Sequence, residues 1–115
     1  MLGRYRLVPG VKSLKPKIAG DAIRQAVNHP VQTGAQEVVK AGMVKMWPHI
    51  RKYKRGIKPL LQVHDELVFD VRTDSDGWYA DYAKSIIPMC MTSAMKLSVP
   101  IRVSMAEGNT WADLK

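Results

Sequence analysis

Residues 60–71 read LLQVHDELVFDV, and no other stretch restricts the fold so tightly. Leu60–Val63 and Leu67–Val71 are two short apolar runs rich in Val, Leu and Phe, and such runs read as mostly buried strands. Only His64, Asp65 and Glu66 lie between them, so the strands can meet only as a tight antiparallel hairpin. Favoured two-residue turns use Asn-Gly, Asp-Gly or Gly-Gly, because positive φ is needed there. Asp65-Glu66 contains no glycine, so ease of turning did not select this tip. It sets two adjacent carboxylates and an imidazole on a stiff apolar support, which suits a hard cation such as Mg²⁺. A solvated acidic turn is the other reading of the same residues.

The hairpin needs elements to pack on. With 115 residues the chain is one small domain or part of a larger one. At 46 % hydrophobic residues it can bury a modest core and is too apolar to stay disordered. Lys and Arg number 18 against 10 Asp and Glu, a net charge of +8 that fits a polyanionic partner or simply a basic surface. The single cysteine, Cys90, rules out an internal disulfide and a Cys-based zinc site, and its apolar neighbours mark it as a small core residue. No run reaches the ~18 apolar residues of a membrane span, and no secretory layout opens the chain, so a soluble, cytoplasmic protein is expected.

In chain order, Met1–Val8 reads as a short strand stopped by Pro9-Gly10. Val11–Gly20, with Lys12, Lys15 and Lys17, reads as a basic loop, either solvated or touching phosphate. Asp21 is placed to cap a helix starting near Ala22, with Ile23, Ala26 and Val27 on one side. Pro30 should kink that helix or start a second one. Helical period then resumes with Ala35, Val38, Val39, Gly42, Met43 and Met46, closed by Trp47-Pro48. The methionines read as core filler. His49–Lys58 is basic and reads as a helix end, a turn at Gly56 and a lead into the hairpin.

Beyond the hairpin, Ser75 or Asp76 should cap a helix from Trp78 to about Met95, with Tyr79, Tyr82, Ala83, Ile86 and Ile87 inward, which Pro88 should kink or split in two. Ser98–Met105 alternates and reads as an edge strand, and Trp111 should anchor the tail. The expected class is α+β: a small antiparallel sheet of the hairpin and last strand, packed against two kinked helices.

Arg24, Asn28 and Gln32 follow at intervals of four, so they share a helix face if Pro30 bends it only mildly. An Arg and two amides can donate to minor-groove acceptors, a readout nearly independent of sequence. An ordinary polar helix face is the alternative.

Two pieces of sequence carry a resemblance. Val63-His64-Asp65-Glu66 between apolar strands resembles motif C of the family A DNA polymerases, the bacterial polymerase I type. Arg24-x-x-x-Asn28-x-Pro30-x-Gln32 resembles the palm helix that follows the fingers in that family. The order of elements from Gly3 onward, ending in Gly108-x-x-Trp111, is similar over nearly the whole chain. One departure is local: the family's Gln-Gly-Thr is Gln32-Thr33-Gly34 here, which leaves Gln32 in place but does not carry the family's local turn over.

The resemblance implies a C-terminal palm segment of a DNA-directed DNA polymerase, from a bacterial or phage-infected cell. It implies Asp65 as metal ligand, Glu66 assisting catalysis beside it, His64 at the primer end, and Arg24, Asn28 and Gln32 on primer–template DNA. Mg²⁺ is the implied cofactor, and deoxynucleoside triphosphates are the implied co-substrates. The family's second metal-binding Asp and its fingers Lys, Arg and Tyr belong upstream of the matching stretch. A complementary segment or chain is therefore expected. Two Mg²⁺ ions must serve both the attacking hydroxyl and the triphosphate, so these 115 residues are expected not to polymerise alone. Two other readings are a non-catalytic basic DNA-binding module or polymerase remnant and, less well supplied with ligands, a His-Asp metal phosphohydrolase.

Overall fold

A computed structural model describes residues 3–114. Its elements are helix α1 (Pro16–Lys52), strands β1 (Ile57–Val63) and β2 (Glu66–Val71), helix α2 (Trp78–Thr92) and a short 3-10 turn at Trp111–Leu114. The class is α+β, with two helices and one two-stranded antiparallel sheet. The chain divides into two compact units, Met1–Val38 and Val39–Lys115.

In the first unit, Gly3–Val8 forms no strand, and the part of that expected strand at Met1 and Leu2 lies outside the described residues. Helix α1 starts at Pro16, earlier than Asp21 suggests. Proline suits a first helical position because its missing N–H has no partner there anyway. Lys17 and Gly20, read as loop, are thus helical, and Asp21 lies inside the helix rather than at its cap. Gly10 has φ +87, and a Cβ there would come within 2.7 Å of Ile18, so this turn requires glycine.

The helix continues through Pro30, and no second helix begins there. Pro30 deprives the Ala26 carbonyl of a partner, yet both residues are exposed, so that carbonyl borders water. Pro48 is tolerated in the same way, and α1 runs past Trp47-Pro48 to end at Lys52, inside the basic stretch expected to hold the helix end. At the departure from the family pattern, Thr33 and Gly34 are helical, and the Thr33 hydroxyl hydrogen-bonds the His29 ring at 3.1 Å. Ile23 and Val27 are exposed, so that side of the helix is not covered within these residues.

The second unit holds the core. Met46, Ile50, Ile57, Ala83, Ile86, Ile87 and Cys90 are buried together, with Leu67, Phe69 and Val71 of β2 packed against them. The odd-numbered side of β2 faces the core. Gly42 lets the backbone of α2 approach closely, with Met91 Cα 3.3 Å from where its Cβ would stand. Strand β1 departs from expectation. Leu60 and Leu61 are 58 % and 40 % exposed, because a lone pair of strands has only one face to lay on a helix. The register slips between Pro59 and Leu61, a bulge beside a residue that cannot donate to the ladder.

Glycine 77, at φ +63, caps α2 in place of Ser75 or Asp76, and its N–H donates to the Asp74 carbonyl at 3.2 Å. Helix α2 passes through Pro88 and stops at Thr92, short of Met95. Ser98–Met105 forms no strand, since alternation without a neighbouring ladder satisfies no backbone groups. Trp111 is 55 % exposed and does not anchor the tail. A Lys84–Glu107 ion pair at 2.8 Å ties the tail to α2.

Candidate nucleic-acid interface

The hairpin tip is tighter than its sequence implies. Val63 pairs with Glu66, so the loop is the two residues His64-Asp65 rather than Asp65-Glu66, and Glu66 opens β2. His64 has φ 54, the single positive value among the described non-glycine residues. Positive φ at the first central position alone is the pattern of a type II′ turn, which normally places glycine there. A histidine in that conformation is strained, and strained loop residues cluster at functional sites. Gln62 supports the turn, its Nε2 donating to the His64 carbonyl at 3.2 Å. His64, Asp65 and Glu66 are all exposed.

The tip offers carboxylate oxygens from adjacent residues, the hard donors Mg²⁺ prefers. Among the described residues, no group of three or more His, Cys, Asp or Glu gathers as a metal site. Mg²⁺ commonly takes only one or two protein carboxylates, filling the rest of its shell with water and substrate phosphates. Asp65 with Glu66 therefore fits part of such a site and does not form a whole one.

The first unit contributes a separate feature. Arg24, Asn28 and Gln32 line one open depression of about 520 Å³, as expected for a shared face. Arg6, Asp21 and Gln25 line it too. The Arg24 guanidinium donates through Nη2 to Asp21 Oδ1. Sequence reasoning missed these three residues. The i, i+3 spacing of Asp21 and Arg24 was a usable signal, but Asp21 was read as a cap. Arg6 and Gln25 carried none.

Comparison with known proteins matches these features to one family. The family model "DNA polymerase family A" fits residues 1–113, and the chain belongs to that family. It is 37 % identical over 115 residues to the thermostable DNA polymerase I of Thermus filiformis, covering all of this chain and 13 % of that one. It is 31 % identical over 115 residues to DNA polymerase I of Bacillus subtilis, again covering 13 % of the relative. DNA polymerase theta of Drosophila melanogaster is 29 % identical over 98 % of this chain and 6 % of its own length. A solved structure, the POL domain of Pol1 from M. smegmatis in complex with DNA primer-template and dNTP, superposes with a TM-score of 0.82. It is 32 % identical and covers 98 % of this chain and 19 % of that one. The chain thus spans about an eighth of the length of these polymerase I relatives. No helix among the described residues is long and apolar enough to cross a membrane.

Proposed function

We propose that this chain is the C-terminal palm segment of a DNA-directed DNA polymerase. The observation that carries the reading is the two-residue loop that leaves the Asp65 carboxylate exposed on a hairpin tip, inside a chain of this family. In the assembled enzyme, a primer 3′ hydroxyl attacks the α-phosphate of a deoxynucleoside triphosphate opposite a template base. Asp65, with Glu66 beside it, would hold one Mg²⁺, whose chemistry is to offset negative charge at the reacting phosphate. His64 contacts the primer end from the same loop. Arg24, Asn28 and Gln32 position the primer–template by donating to its minor groove. The bound DNA and dNTP named for the solved neighbour support these partner assignments.

The second metal-binding Asp and the Lys, Arg and Tyr that hold the nucleotide come from another segment or chain. Exposed apolar side chains such as Tyr5 (98 %) and Leu14 (100 %) give that segment something to cover. A cytoplasmic location, in a bacterial or phage-infected cell, goes with this role.

Primer extension tests the reading. The chain is combined with a segment carrying the missing motifs, and extension is followed with wild-type or Asp65→Asn protein. Loss of extension with Asp65→Asn supports the assignment, and unchanged extension sinks it. The chain alone should extend nothing. The basic composition favours a second reading, a non-catalytic duplex-binding module. That module would bind DNA with steep salt dependence and ignore both Mg²⁺ and Asp65.

A further inference from the structure

Asp21 is out of place in the depression on α1. Its neighbours there are two guanidinium groups, Arg6 and Arg24, and the amides of Gln25, Asn28 and Gln32. All of these suit a polyanion, and a carboxylate does not. Asp21 is also engaged: its Oδ1 accepts from Nη2 of Arg24 one helical turn away. Both side chains are well exposed, at 50 % for Asp21 and 74 % for Arg24. Exposed pairs of this kind are weak, so DNA can still recruit Arg24. Two guanidinium charges and one carboxylate leave the depression a net charge of +1.

A guanidinium has five donors, and a nearby phosphate competes strongly for them because Arg–phosphate contacts are charge-assisted and often bidentate. Phosphate contacts fix position without reporting on the base pair. A carboxylate beside Arg24 changes that balance. It repels phosphate oxygens and occupies one of the donors that a bidentate phosphate contact would use. The neutral acceptors on base edges are repelled far less.

We propose that Asp21 is a specificity-determining residue of this face. It biases Arg24 away from phosphate and toward minor-groove acceptors, and so lowers overall DNA affinity while making binding more dependent on the pair being contacted. This rests on the reading of Arg24, Asn28 and Gln32 as a primer–template contact.

The test is equilibrium binding of the full 115-residue chain to labelled primer–templates with matched or mismatched termini, across a salt series. Wild type, Asp21→Asn, Arg24→Ala and the double variant are compared. Asn is nearly isosteric with Asp, and circular dichroism is used to check that helix content is equal. Asp21→Asn should tighten binding about threefold and steepen the negative log–log salt slope by up to one phosphate's worth, ~0.9. The matched-to-mismatched affinity ratio should fall, and the substitution should have no effect in the Arg24→Ala background. Unchanged or weaker binding by Asp21→Asn, an unchanged slope, or a preserved ratio overturns the proposal. If Arg24→Ala binds like wild type, or wild type does not bind, the reading of the face falls with it.

Discussion

Replacing Gly56 with alanine should loosen the junction between α1 and the hairpin. A Cβ at this position would lie 2.2 Å from Cδ1 and Cε1 of Tyr79 and 2.5 Å from its Cζ. Ordinary contact begins near 3.4 Å, so ring or backbone must retreat by about 1 Å. Neither is free to do so. The Gly56 N–H donates to the Tyr53 carbonyl at 2.9 Å, and its carbonyl accepts from the Arg72 N–H at 2.7 Å. The Tyr79 ring meets Trp78 edge-on at 5.1 Å, and Trp78 stacks on Tyr82 at 5.1 Å. Forced overpacking of this kind costs about 1–3 kcal/mol. For a chain of 115 residues that is a fall in Tm of about 4–12 °C. The assay is thermal and urea unfolding followed by circular dichroism. Gly77→Ala serves as the comparison, because its Cβ would meet nothing within 4 Å and only the φ of +63 penalises it. It should lose about 1 kcal/mol. Adding Gly56→Ala to a Tyr79→Leu background should cost much less than adding it to wild type. A Gly56→Ala protein within about 0.5 kcal/mol of wild type would refute the packing argument.

Three further outcomes are expected. Arg4→Met removes the 2.9 Å ion pair to Glu37, which is 1 % exposed. Because Arg4 is half in water and Glu37 has other interactions, the loss should be about 1–2 kcal/mol, recovered in part by Glu37→Gln, as urea midpoints will report. His64→Gly relieves the positive φ and should raise stability by up to about 1 kcal/mol while weakening primer–template binding, and a variant that loses stability would contradict the strain at this turn. Burial holds the Cys90 thiol above its ordinary value of 9.0, so alkylation should be slow until the chain unfolds. The sign of that shift makes the thiol's contribution to stability complete below pH 9.0 and lost as pH climbs through the raised value, which pH-dependent urea midpoints will read.

The hairpin was legible because two apolar runs so close together have one arrangement open to them. The Arg24, Asn28 and Gln32 face was legible from spacing alone. The prolines misled only as element boundaries. Pro48 reads as a stop, Pro30 as a possible helix start and Pro88 as a possible split, yet each sits inside a continuous helix. A proline removes one donor and crowds the carbonyl four residues back, but where that carbonyl can turn to water the helix can bend and continue. Alternation misled at Ser98–Met105, because it records which side chains share a face and says nothing about a neighbouring ladder. The tip was misplaced by one residue, since nothing in the sequence announces a histidine at positive φ. Asp21 satisfied the cap rule so well that its spacing to Arg24 went unused.

The assignment of Asp65 meets its most direct test in the NMR spectrum of the chain with primer–template DNA and a deoxynucleoside triphosphate. Mn²⁺, standing in for Mg²⁺, is added in small steps while backbone amide signals are followed. Selective broadening at His64, Asp65 and Glu66, abolished by Asp65→Asn and reversed by excess Mg²⁺, is the expected result. Broadening spread evenly over the chain's acidic residues, or unchanged by Asp65→Asn, would mean that the hairpin tip is not where this chain holds its metal.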